Sequence, residues 1–229
     1  MNHTTGADTP EEITHCFVLK GFDLAWSMLE GEDVLKDGKK IAIHSKNIEN
    51  RHGRMAPGWY GVILGKGKVG VTKERYEECK AKLPQMNIPP WGWQNLKQWT
   101  GKVVGVVEIA HSLPHEVCKQ SPWAEGPVCN IISKAGWIEK PIPCKGNLGA
   151  CPITDPDTRD QVRRSAKRAQ ESGSIYKTNG DVEHPYRGTD VWPQNRKRKA
   201  AIVLSDVDDA ARLRKFLTKC VDNISAKTQ

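Results

Sequence analysis

Hydrophobic and polar positions divide the chain into many short apolar runs with few amphipathic stretches between them. The first run, Cys16-Phe17-Val18-Leu19, has strand length. Asp23 stands where an N-cap would, ahead of a helix over residues 24–29 that Gly31 can end. Lys36-Asp37-Gly38-Lys39 reads as a turn, and Lys40-Ile41-Ala42-Ile43-His44 as a strand. The next stretch, Lys46-Asn47-Ile48-Glu49-Asn50-Arg51, sets three charges around one apolar residue. In extended chain Glu49 and Arg51 share one face, while Lys46 and Ile48 share the other. A turn on Gly53 and Pro57-Gly58 then leads into Trp59 to Leu64, a buried strand. Charges entering such a strand pair have two readings, a polar pocket or an edge strand with surface ion pairs.

Further along, residues 72–83 predict a charged surface helix. Pro89-Pro90-Trp91-Gly92-Trp93, with Trp99 after it, is either a stacking platform for bases or an apolar plug closing a barrel. Residues 102–110, with Val103-Val104-Gly105-Val106-Val107, form the strongest strand pattern, and Glu108 reads as a strand-end carboxylate. Residues 121–127 are a loop before a strand over 128–133; Trp137-Ile138 and Pro141-Ile142-Pro143 lead on to Cys144-Lys145-Gly146. Such an array predicts an α+β fold, a small mixed β-barrel with flanking helices and a basic C-terminal extension. Residues 1–14 are expected as a flexible tail, 15–153 as the barrel, and 154–229 as the extension. Within it lie a basic helix over 157–172, a polar loop over 173–194 and a strand over 200–204. A last helix starts at Ser205, and its apolar stripe of Ala211, Leu213, Phe216, Leu217 and Val221 is expected to pack on the barrel.

Charge changes this picture most in the extension. The chain carries a formal charge of +8 and 38% hydrophobic residues, with a pI near 9.1 and a mean hydropathy of −0.59. Residues 157–200 hold eleven Lys/Arg against six Asp/Glu. A surface of this sign favours polyanions, nucleic acid first. No apolar run approaches the roughly 20 residues that cross a bilayer, and the polar, acidic residues 1–12 do not pattern as a signal peptide. Seven cysteines without a tight spacing predict reduced thiols in a nuclear or cytoplasmic protein. Neither they nor the histidines fall at zinc spacing, so no metal and no cofactor is expected. The chain is expected to be a monomer without membrane partners. Arg163-Arg164-Ser165-Ala166-Lys167-Arg168 and Arg196-Lys197-Arg198-Lys199 are either a nuclear import signal or a solvated helix face and turn.

In order and spacing, three segments resemble the ASCH domain family of the PUA-like superfamily. They are a helix ending in glycine (25–31) followed by Lys46-Asn47-Ile48-Glu49-Asn50-Arg51; the strands Gly58-Trp59-Tyr60 and Val103 to Glu108; and Ser121-Pro122-Trp123-Ala124-Glu125-Gly126-Pro127 with Glu139-Lys140-Pro141-Ile142-Pro143-Cys144-Lys145-Gly146. The resemblance covers residues 16–153. It departs in two places: Gly21-Phe22-Asp23-Leu24 stands where the family has Gln-Pro-Trp, and residues 32–45 are an insertion between the glycine and the lysine. A second alignment makes Ile41-Ala42-Ile43-His44-Ser45 the family's Ile-His-Ala-Ser strand, ahead of the charged element instead of after it.

The resemblance implies a small barrel with a cleft, similar to domains that bind RNA or DNA, some of which hold flipped or modified bases. The residues suit that independently. Lys46, Glu49 and Arg51 supply donors and an acceptor for a base edge, and Trp59, Tyr60 or Trp123 a stacking face. Arg54, Lys66, Lys68, Lys145, Arg163, Arg164, Lys167 and Arg168 supply cations for phosphates. The expected function is a nucleic-acid-binding module. The alternative is a hydrolase on modified nucleosides or RNA, with Lys46, Glu49 and Tyr60 as catalytic candidates. Lys46 matches the lysine of some small relatives that resemble hydrolases, but Glu49 stands where they have threonine, and a neighbouring carboxylate holds a lysine charged.

Overall fold

The computed structural model describes residues 10–36, 39–65, 73–82, 98–147 and 149–184. In chain order the strands are β1 (His15–Leu19), β2 (Glu32–Lys36), β3 (Lys39–His44), β4 (Ile48–Arg51), β5 (Gly58–Leu64), β6 (Lys102–Pro114), β7 (Val128–Pro143), β8 (Ala150–Pro152) and β9 (Ile175–Lys177). The helices are α1 (Phe22–Leu29), α2 (Lys73–Lys82), α3 (His115–Cys118), α4 (Pro156–Glu171) and α5 (Gly180–Glu183). Seven strands make one mixed sheet in the order β4-β7-β6-β5-β1-β8, with β9 also on β7; β2 and β3 form a separate hairpin. β1 runs parallel to β5 and the other pairs of the large sheet are antiparallel. Three register shifts between β6 and β7 bend both long strands. The sheet therefore curls into a half-barrel, an α+β architecture.

Alternation sorts the side chains of β5 onto two faces. Tyr60, Val62 and Leu64 pack with Phe17 and, from α1, Ala25, Met28 and Leu29. Trp59 and Ile63 pack with Cys16, Val103 and Val106 and, from α4, Val162 and Ala166. The sheet is thus covered by α1 on one face and α4 on the other. A third cluster, with Ile48, Tyr76, Leu113, Cys118, Trp123, Cys129 and Ile131, lies where β4 meets β7.

The first bulge in β6 has a sequence cost. Val104 packs toward α1, and a Cβ on Gly105 would also point there, 2.5 Å from Leu29 Cδ1 and 2.6 Å from the Gly136 carbonyl oxygen. Only glycine fits at that position.

Several expectations change. Residues 10–12 form a 3-10 turn and Ile13 is fully buried, so the segment before β1 joins the core where a tail was expected. Gly21 occupies the N-cap position of α1; Asp23 lies inside the first turn and is buried. Gly31, with φ of 67°, does follow the helix end. β7 runs unbroken through Gly136, because β6 pairs one edge while β4 and then β9 pair the other. Pro141 and Pro143 come after the stretch that β9 covers, where an edge tolerates a missing N–H. The polar loop over 173–194 contains β9 and α5, elements of three and four residues that are too short to leave a periodic signal.

α4 is the basic helix expected over 157–172. Asp155 caps it by accepting from Thr158 N at 2.9 Å, and Pro156 occupies its first turn. The strand over 200–204 and the helix from Ser205 lie outside the described residues.

Candidate functional site

Two backbone hydrogen bonds set the charged segment before β4 begins. Lys46 N donates to Ser27 O at 2.7 Å, and Asn47 O accepts from Ile132 N at 2.9 Å. The second bond continues the β4–β7 register one residue beyond the Ile48–Ile131 pair, and Lys46 is buried just ahead of it. Its ammonium turns back to donate to Ile48 O and lies 3.0 Å from Glu49 Oε2. Glu49 Oε1 is 2.9 Å from Arg51 Nε. Arg51 donates through Nη2 to Val18 O at 3.2 Å, and its guanidinium lies over the Phe17 ring, 5.2 Å from the centroid. Lys46 and Glu49 are each 4% exposed, while the Arg51 side chain reaches 20%. One carboxylate thus holds two cations, and Arg51 is the member that meets solvent.

Three asparagines, none of them predicted as site residues, frame this cluster. Asn130 Oδ1 accepts from Met55 N at 2.8 Å and Ser112 Oγ at 2.6 Å, while its Nδ2 donates to Glu49 O at 3.0 Å. Asn50 Oδ1 accepts from Glu125 N and Gly126 N at 3.0 and 3.1 Å, and Nδ2 donates to Trp123 O at 2.7 Å. That fastens the Pro122-Trp123 loop to β4. Asn47 Nδ2 donates to Asn179 Oδ1 at 2.8 Å and Glu183 Oε2 at 2.7 Å, which ties α5 to the same segment. A short polar residue beside a charge reads as a turn former in sequence, so nothing local marks these as anchors.

The predicted aromatic residues are not brought together. Tyr60 lies on the α1 face, tilted against Phe17 and His15 at 6.4 and 6.3 Å between ring centroids. Its hydroxyl donates to Ala56 O at 2.9 Å, and burial pushes its pKa up. Trp59 is on the α4 face at 4% exposure, with Lys134 Nζ 5.5 Å from its ring centroid. Trp123, 5% exposed, belongs to the third cluster beneath Lys82, whose ammonium is 4.9 Å from the ring centroid and 2.7 Å from Glu125. Glu108 is not at a strand end. It accepts from Ser133 Oγ at 2.7 Å and pairs with Lys134 at 3.2 Å, at a bulge where two residues of β7 face one of β6.

Among the predicted phosphate contacts, Arg54 and Lys145 are exposed. On α4, Arg164, Lys167 and Arg168 are exposed, while Arg163 is half-buried and donates through Nε to Ile13 O at 3.0 Å. Lys66, Lys68, Trp91, Trp93 and Arg196 to Lys199 lie outside the described residues. Among the described residues, no group of His, Cys, Asp and Glu is placed to hold a metal, and no helix is long and apolar enough to cross a membrane.

No family model matches the chain, and no similar sequence was found among characterised proteins.

The α5 anchor carries a pH dependence. His184 is 6% exposed and its carbonyl oxygen is 2.8 Å from His111 Nε2. Burial lowers its pKa, against an opposing pull from Glu183 at 3.8 Å. A histidine whose folded pKa is depressed leaves stability intact above its unfolded value near 6.5 and loses it as pH falls toward the folded value. Urea unfolding at pH 7.5 and 5.5 should show the wild type weakening on acidification and His184→Asn weakening less. Equal losses in both proteins would remove His184 from the explanation.

Proposed function

We propose that the protein is a nucleic-acid-binding module of the PUA-like, ASCH type, with Arg51 at the mouth of a base-reading cleft and α4 as its phosphate-binding surface. The half-barrel and the order of motifs along residues 16–153 support the family reading. The observation that carries the function is the two-sidedness of α4. Val162, Ser165, Ala166 and Ala169 are buried, which turns Arg164, Lys167 and Arg168 outward as a row of cations. A packed helix holds such a row at fixed spacing, so less ordering is lost when phosphates bind.

The cleft contributes in a different way. Lys46 and Glu49 largely neutralise each other, and Glu49 also orients Arg51, whose remaining N–H groups can donate to a base edge. The same pairing disfavours the hydrolase reading. The buried Lys46 ammonium is already engaged by Glu49 Oε2 at 3.0 Å and by Ile48 O, which occupies it as a structural donor.

Fluorescence anisotropy with single- and double-stranded RNA and DNA oligomers across a salt series tests this. Replacing Arg164, Lys167 and Arg168 together with glutamine should cut the magnitude of the log K against log salt slope by about 2 for a single strand, at roughly 0.7 per contact. Arg51→Ala should weaken binding at every salt concentration without changing the slope. A slope near zero for the wild type would rule out the phosphate role.

A further inference from the structure

With Trp59 and Trp123 buried in the core, neither offers a face to a base. The half-buried indoles Trp99 and Trp137 instead line a cavity of about 590 Å³ between β7 and the end of α4. The volume falls in the range of small-ligand sites. Trp99 and Trp137 meet at 83° with centroids 5.4 Å apart, so where one wall offers a ring face the other offers an edge. The pair is fixed from behind. Trp137 Nε1 donates to Glu30 Oε2 at 2.7 Å, Trp26 packs 5.5 Å from Trp137, and Phe22 packs 5.6 Å from Trp99. Rings already held in place lose little freedom when a ligand stacks on them.

Charge selects the ligand. Arg168 stands on the cavity wall and belongs to the same exposed row as Arg164 and Lys167. Glu139 also lines the cavity; a carboxylate repels a phosphate lodged beside it but accepts from the exocyclic amine of a base. Ser172 and Ser174, 2.9 Å apart through their hydroxyls, line it as well. An aromatic, hydrogen-bonding ring with an anionic tail matches that set.

We propose that this cavity takes one unpaired base of a single-stranded nucleic acid, stacked on Trp99 or Trp137, with the adjoining phosphate on Arg168 and the strand running back along α4. The inference rests on the nucleic-acid reading above and moves the stacking site away from the β4 cleft. A duplex keeps its bases stacked inside and cannot deliver one without flipping it, so single strands should bind better than duplexes of the same length.

The test uses the full chain and 12-mers of RNA or DNA carrying one 5-iodouracil, irradiated and mapped by mass spectrometry. Cross-links at Trp99 or Trp137 are expected. Trp99→Leu should weaken single-strand binding about tenfold with an unchanged salt slope, and Arg168→Gln should reduce the slope by about 0.7. Cross-links confined to Tyr60 or other residues, or wild-type affinity in folded Trp99→Leu, would overturn the cavity assignment while leaving the module a nucleic-acid binder. Absence of any oligomer binding at low salt would remove both readings together. Should Trp99→Leu not fold, the cross-link map of the wild type decides.

Discussion

Glu49→Ala is expected to lower stability by about 3–5 kcal/mol, because it leaves two cations facing each other without their carboxylate. Lys46 is 4% exposed and Arg51 is held against Phe17 and Val18 O, so neither can swing fully into water without unmaking packed structure. Against a typical total of about 5–15 kcal/mol, such a loss leaves a marginal fold. The pairing itself contributes less than this number suggests, since much of the penalty is the desolvated charge left behind. Replacing Lys46, Glu49 and Arg51 together with Met, Leu and Met should therefore recover most of the stability, and under the proposed function should weaken oligomer binding. Urea midpoints of the single and triple variants make the comparison. A loss below about 1 kcal/mol in Glu49→Ala would mean that water already reaches the cluster, as at an edge strand with surface ion pairs.

Gly136→Ala should cost about 1–3 kcal/mol and release β9 from β7. A Cβ built on Gly136 overlaps Ser174 O and comes within 2.8 Å of Ile175 Cα, both backbone atoms that cannot rotate aside. β6 leaves no room on the other side, because Gly136 O already lies against Gly105. Once β9 shifts, Thr178 N loses Ser133 O, and Asn179 and Glu183 are drawn away from Asn47. Hydrogen exchange should accordingly quicken first at Thr178 and His184, ahead of the β5 and β6 amides. Ser174 also walls the proposed base cavity, so single-strand affinity should fall in parallel. Gly53→Ala is the matched control: nothing lies within 4 Å of its Cβ, and its stability should be close to wild type. Intact protection at Thr178 in Gly136→Ala would show that β9 accommodates the methyl group without leaving.

Short-range pattern determined a good deal of this protein. Alternating or continuous apolar runs were sufficient for β1, β5 and the first part of β6. The density of basic residues over 157–172 made α4 legible, and many strands with few helices pointed to a small α+β barrel. Lys46, Glu49 and Arg51 were also visible as a charged cluster, although nothing local showed that the two oxygens of Glu49 each hold one cation.

Tertiary structure decided what depends on partners far away in sequence. β9 and α5 exist because the outer edge of β7 beyond β4 needs hydrogen-bond partners, which segments of three and four residues cannot signal alone. The roles of Asn47, Asn50 and Asn130 come from contacts across 73 to 136 residues of chain. Local pattern placed Trp59 at the start of a buried strand but gave no sign that Trp123 is covered. Trp123 sits in a polar, turn-forming loop, yet the third cluster buries it. Trp137 lies within an apolar strand, yet it keeps an open side on a cavity. Burial is set by what the sheet and α4 bring over each ring, and a side chain carries no record of that in its own neighbours along the chain.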